Sequence, residues 1–226
     1  MIRRIVGIHF SPIGGTARMT DRLTAQLADL LKDCCPDDIR VESYELMRMG
    51  PETVDLDDET VAVIGMPVYV GKVPLPAISA LRKFRPNGAA AVTAVSFGSR
   101  TFGNALYELQ HFTENQGFKV LGAGAFAVRY RKGGIGREMS EHYGDVASLT
   151  EFGTAAAAKI RRLAGTEIEE LRIRPVPLEV AGRLPIHRIS RLSPRAAAAA
   201  QELLERICIR RSNSEWYLER IVRHRA

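Results

Sequence analysis

The chain has 226 residues, 46% of them hydrophobic and 26% charged, with 32 lysines and arginines against 26 aspartates and glutamates for a net charge of +6. That length holds one large α/β domain, or a domain of about 150 residues with an appendage, and the composition excludes wholesale disorder. No run reaches the ~20 apolar residues of a helical membrane span and no secretory leader pattern opens the sequence, so a cytoplasmic protein is expected.

Residues 3–10 read as a first strand, with Ile5, Val6, Ile8 and Phe10 as its apolar body. A helix is predicted from Thr16 to Lys32, where Leu23, Leu27, Leu30 and Leu31 recur at helical spacing. Residues 39–44, Ile-Arg-Val-Glu-Ser-Tyr, alternate as an edge strand does. Residues 60–66 are instead a continuous run, Thr-Val-Ala-Val-Ile-Gly-Met, which predicts a central strand buried on both faces. A short helix at 76–84, a strand at 90–97, a helix at 104–116, a strand at 119–128 and a helix at 146–164 complete the pattern. Five strands alternating with helices predict a doubly wound parallel sheet with right-handed crossovers. Ligands of such sheets bind beyond the carboxyl ends of the strands, where the strand order reverses.

Three segments leave strands at that edge. In Ser11-Pro12-Ile13-Gly14-Gly15-Thr16 the glycines permit a sharp turn and close backbone approach, two hydroxyls are at hand, and a helix start offers unpaired N–H groups. Together these suit a phosphate; an ordinary glycine turn with Thr16 as helix cap is the structural alternative. The segment is neither a Walker loop nor a GxGxxG fingerprint. In Pro67-Val68-Tyr69-Val70-Gly71-Lys72, Tyr69 is an aromatic at a strand end, able to stack on a flat heterocycle or simply to sit on a proline-rich turn. In Ser96-Phe97-Gly98-Ser99-Arg100-Thr101-Phe102-Gly103-Asn104, two glycines bracket polar residues and a second aromatic, and Asn104 is a candidate cap of the next helix.

These segments resemble the phosphate loop and the two isoalloxazine loops of the flavodoxins. The "FSP-x-G-x-T" opening and "PVY-x-G-x-VP" are most similar to the flavodoxin half of flavodoxin–ferredoxin fusion proteins, over about residues 3–164. The resemblance implies a flavodoxin-like fold and an FMN cofactor. Ser11, Ile13, Gly14, Gly15 and Thr16 would hold its phosphate. Tyr69 would stack on the ring, with Pro67, Val68, Val70 and Gly71 forming the turn around it. Ser96, Gly98, Ser99, Arg100, Phe102, Gly103 and Asn104 would form the third loop, with Gly98, Ser99 and Gly103 on the pyrimidine edge. Ile13 replaces the family's usual threonine and Gly15 its usual asparagine or threonine, which shifts the burden of phosphate binding onto backbone N–H groups. The iron–sulfur segments of the fusion proteins are missing: Cys208 stands alone, and Cys34 and Cys35 are adjacent, so the chain does not hold a [4Fe–4S] cluster by itself.

The function expected is electron transfer through FMN, with no catalytic dyad and no metal. An FMN-dependent NAD(P)H or quinone reductase is the alternative, for which Arg129, Arg131 and Lys132 ahead of Gly133-Gly134-Ile135-Gly136 would meet the nicotinamide phosphate. A scaffold that has lost its flavin is a further one. A phosphoacceptor receiver domain is excluded, because strand one ends His9-Phe10-Ser11 and strand three ends Met66-Pro67 where acidic residues are required. His9 reads as a structural histidine near the site, and His111 and His142 have no evident partner. Lys72 and Arg100, with no carboxylate in 67–74 or 96–104, predict an easier second reduction than in acidic flavodoxins.

Residues 165–226 form a separate extension, carrying 12 arginines against 8 glutamates. Pro175, Pro177 and Pro185 interrupt its first part, and helices are predicted around Leu203, Leu204 and Ile207 and from Ser214 onward. The extension is expected to pack on the core, form a homodimer contact or present arginines to an acidic redox partner such as a ferredoxin. Without interleaved aromatics or a recognition motif it does not predict nucleic-acid binding.

Overall fold

The computed structural model describes residues 2–34, 38–98, 102–128 and 145–165. Strands β1 (Arg4–His9), β2 (Arg40–Glu45), β4 (Thr60–Pro67), β6 (Ala90–Phe97) and β7 (Lys119–Ala127) form one sheet in the order β2-β1-β4-β6-β7, parallel throughout. Counted within that sheet, the order is 2-1-3-4-5, the flavodoxin-like arrangement, with its switch point between β1 and β4.

The burial of each strand follows its place. Central β4 is buried at every position, because helices cover both faces of the sheet, whereas edge strand β2 exposes Arg40, Val41 and Ser43 and buries none of its residues fully. Helices α1 (Gly15–Leu31) and α4 (Asp145–Gly165) lie on one face, where Met19, Leu23, Leu27, Ala157 and Ile160 pack on Ile5, Val61, Val63 and Val92. Helices α2 (Leu75–Leu81) and α3 (Ala105–Asn115) lie on the other, burying Ala77, Leu81, Leu106 and Leu109 against Val6, Ile8, Ile64 and Val95.

The helix expected over 76–84 is shorter. It ends at Leu81, and Phe84–Arg85 form strand β5, paired in parallel with β3 (Val54–Asp55) as a two-stranded annex. Phe84 is fully buried and meets Tyr44 edge-on at 5.3 Å, and anchoring that ring in the core outweighs one more helical turn. The other expected elements are present, with ends shifted by no more than one residue. The loop from Arg129 to Gly136, His142 and the whole extension beyond 165 lie outside the described residues.

Candidate functional site

Because the strands are parallel, the segments after β1, β4 and β6 emerge together at the sheet's carboxyl edge. The first is held from three sides. Gly14 is in the left-handed conformation, φ 86°, and is the residue that precedes α1. Gly15 and Thr16 open the helix, where no carbonyl of the same helix reaches their N–H groups. The Ser11 hydroxyl accepts the Ala17 N–H at 2.9 Å, so Ser11 ties down the first turn, and the Thr16 cap weighed from the sequence is not formed. Thr16, already inside the helix, shares a 2.7 Å hydrogen bond with Ser96 at the end of β6, both nearly buried. That bond uses one of the two hydroxyl protons and fixes the first segment to the third.

The second segment is a tight hairpin. Tyr69 and Lys72 exchange backbone hydrogen bonds at 2.9 and 3.1 Å, and the two residues between them both have positive φ, Val70 at 55° and Gly71 at 76°. Positive φ at both central positions is the type I′ pattern, easy for glycine and strained for a β-branched valine. Val70 is 65% exposed at its tip, and Tyr69 is half-buried beside it.

The third segment is clasped to the second. The Asn104 N–H donates to the Gly71 carbonyl at 2.9 Å. A β-carbon on Gly103, itself at φ 55°, would stand 2.7 Å from the Gly71 Cα and 2.7 Å from its oxygen. The two backbones therefore touch where a side chain would separate them. Asn104 precedes α3 but makes no side-chain cap hydrogen bond, so the capping role expected of it is not observed; its backbone is what the clasp uses. Phe102 packs against Phe97 at 5.5 Å, and Gly98 is exposed at the end of β6. Ser99 and Arg100 lie outside the described residues.

Two carboxylates that sequence spacing did not single out support these segments. Glu108 of α3 accepts the Val73 N–H at 3.2 Å and lies 3.9 Å from the Lys72 ammonium. Burial raises its carboxyl above the ordinary value, partly offset by the Val73 hydrogen bond and by Lys72. The stretches 67–74 and 96–104 hold no carboxylate of their own, yet the fold delivers one to the hairpin. Glu45, the last residue of β2, accepts the Ser11 N–H at 3.3 Å and the Met47 N–H at 3.2 Å, and its second oxygen lies 3.4 Å from His9 Nε2. Both glutamates act on backbone far away in the chain, which is why no local motif contains them. Val128, just past β7, is a further unforeseen neighbour, 3.2 Å from where a Gly15 β-carbon would lie.

No protein-family model matches the sequence, and no curated protein matches it. Solved structures do match. An oxidoreductase from Corynebacterium diphtheriae aligns with 74% of this chain and 98% of its own at 15% identity and a TM-score of 0.55. An NADH:FMN oxidoreductase in its apo form aligns with 74% of this chain and 92% of its own at 16% identity and a TM-score of 0.51. A flavodoxin from the domain Archaea aligns with 70% of this chain and 99% of its own at 16% identity and a TM-score of 0.48. The chain spans 37% of the length of another match, the rubredoxin oxygen:oxidoreductase of Desulfovibrio gigas. At such identities the likeness is one of fold. Among the described residues no helix is long and apolar enough to cross a membrane, and no cluster of three or more His, Cys, Asp or Glu could hold a metal ion.

Proposed function

We propose that the chain binds one FMN, non-covalently, in the crevice outside β1 and β4 and uses it to carry electrons between redox partners. The observation that carries this reading is the convergence of three glycine-bearing segments at the switch point, two of them in backbone contact through Gly71 and Gly103.

The residues fit the group. A β-carbon at Gly14 would meet an Arg18 guanidinium nitrogen at 3.8 Å, an ordinary contact distance, and the helix dipole and the first-turn N–H groups of Gly15 and Thr16 favour a phosphate there. With threonine absent at 13, these backbone donors would be supplemented by the Thr16–Ser96 hydroxyl pair. Tyr69 would offer an aromatic face to the ring, with Val68 and Val70 around it. The 102–104 segment, and Ser99 and Arg100 ahead of it, would close the other edge. Bound FMN supplies the redox chemistry; the chain positions it, excludes water and sets the surrounding charge.

The test is Gly14→Asp, which adds bulk at a positive φ and a negative charge at the phosphate. FMN affinity is expected to fall at least tenfold, of the order of one unfavourable charge contact, while riboflavin, which lacks the phosphate, loses only what the bulk costs. Equal FMN affinity in the variant would place the phosphate elsewhere. The likeness to an NADH:FMN oxidoreductase gives a second reading, a nicotinamide-dependent reductase. Steady turnover of NADH or NADPH with a quinone would establish it, whereas a carrier gives slow or no direct reduction. The acceptor that suits a carrier is an acidic redox protein drawn to the basic extension, an attraction that salt would weaken.

A further inference from the structure

We infer that Glu108 is a positioning residue for the ring side of the crevice: its two carboxylate oxygens hold the hairpin of Tyr69 and Lys72 in place, and its charge opposes reduction of a flavin seated there. The inference rests on the reading of that hairpin as the seat of the flavin ring, a reading in which Glu108 has no part.

The hairpin needs holding. Val70 has φ 55° and is 65% exposed, so a β-branched residue keeps a strained backbone with little burial to offset it, and such a conformation persists only where its surroundings over-determine it. The incoming leg is fixed by the Val68 N–H, which donates to the Ser96 carbonyl at 2.9 Å, and the tip by the Asn104 N–H on the Gly71 carbonyl. Glu108 fixes the outgoing leg. It stands in the first turn of α3, where its own N–H donates to the Asn104 carbonyl at 2.9 Å. Its Oε2 accepts the Val73 N–H at 3.2 Å, and Oε1 lies 3.9 Å from Lys72 Nζ. One turn of helix and the residue before it thus grip the hairpin at its tip and at its exit.

A glutamine at 108 could accept the same N–H with no charge to desolvate. The carboxylate is only 18% exposed and burial works against its charged form, so folding alone does not favour a charge here. What the carboxylate adds is a partner for Lys72, itself paired through its backbone with Tyr69, and a negative charge beside the seat of the ring. Among the described residues, Lys72 is the charged side chain that acts on it. Those of the neighbouring elements are engaged elsewhere: His111 of α3 is exposed and stacks on Tyr107, Glu114 is bound to Gln110 at 2.9 Å, Arg82 after α2 lies over the Phe112 ring, and Lys83 donates to the Gly50 carbonyl at 2.6 Å. Strands β4 and β6, which flank the hairpin's origin, hold no titratable residue, and Lys119 stands at the opposite, amino end of β7. The expectation of an easy second reduction counts Lys72 as an uncompensated cation; Glu108 compensates it.

The experiment titrates the full chain, Glu108→Ala, Glu108→Gln and Lys72→Met with FMN and with riboflavin, and then measures the reduction potential of the bound flavin with dithionite against reference dyes at about pH 8. Dithionite, itself oxidised to sulfite, brings two electrons to the ring with fewer than two protons, so negative charge builds there; a carboxylate nearby opposes it and an ammonium favours it. Glu108→Ala is expected to weaken FMN and riboflavin by the same factor, about tenfold for one hydrogen bond to a charged group, because the ring and not the phosphate loses its seat; Gly14→Asp instead spares riboflavin. Glu108→Gln, which still accepts the Val73 N–H, recovers most of that affinity but shifts the potential upward, and Lys72→Met shifts it downward. If Glu108→Ala does not fold, these two potentials carry the test. Native affinity in Glu108→Ala, or a loss confined to FMN or not recovered by glutamine, overturns the positioning role; a potential unmoved in Glu108→Gln overturns the role of the charge. Either result leaves the flavin site standing. A native chain that FMN never saturates overturns the site and the inference together.

Discussion

At the scale of single residues, the account rests on positions where a side chain is forbidden or a charge is held. Gly103→Ala would force a β-carbon to 2.7 Å from the Gly71 backbone at a positive φ. The clasp must open, with an expected loss of about 1–3 kcal/mol of stability and a weakened FMN affinity; a thermal melt and an FMN titration check both, and an unchanged clasp would leave each at its native value. Glu108 makes a prediction about pH. Its folded carboxyl titrates above the ordinary value because it is buried, so the folded chain holds a proton that the unfolded chain has lost. Its contribution to stability is therefore full below the ordinary carboxylate range and is lost as pH rises through the raised value. Glu108→Gln, neutral and able to accept the Val73 N–H, is expected to flatten that decline, which urea midpoints measured from about pH 4 to 7 would reveal. Gly14, Gly15, Gly71 and Gly103 were readable in the sequence because each stands in a loop with a turn signature. Glu45 and Glu108 were not, since each carboxylate takes its meaning from an N–H more than thirty residues away.

At the scale of elements, the tight seat of α1 on the sheet is what brings the phosphate loop to its place. Thr20 and Thr24 turn their hydroxyls back to carbonyls four residues earlier, at 2.9 and 2.8 Å, and lie directly over glycines of β4 and β1. A β-carbon on Gly65 would come within 1.8 Å of Thr20 Oγ1, and one on Gly7 within 3.1 Å of Thr24 Oγ1. Gly65→Ala should then lift α1 and cost about 1–3 kcal/mol. The double variant with Thr20→Ala should recover part of that loss, as a coupling energy well outside additivity; strictly additive melts would show that the two residues do not meet. The alternating and continuous apolar runs were enough to identify edge β2 and central β4, since burial on one face or two leaves different patterns. The same reasoning over-extended α2, because two-residue strands such as β3 and β5 carry no period, and their pairing joins Val54 to Phe84.

At the scale of the whole molecule, the described elements put two helices on each face of the sheet, with Leu149, Ala156, Ala157 and Ile160 of α4 all buried. Deleting residues 166–226 is therefore expected to leave cooperative unfolding and FMN affinity intact while slowing electron exchange with an acidic carrier. Loss of the flavin along with the extension would make those residues part of the site. The arginines and the helical spacing of the extension are legible in the sequence; its place is not, because helical periodicity alone does not say which surface an apolar face covers. The central claim, one FMN at the β1/β4 switch point, is tested most directly by titrating FMN into the flavin-free full chain while following quenching of flavin fluorescence. The account predicts saturation at one FMN per chain, with a melting temperature raised by roughly 10 °C when FMN is about 1000-fold above its dissociation constant, from a linkage of about 4 kcal/mol. A fluorescence signal that never saturates, with a melting temperature indifferent to FMN, would contradict it.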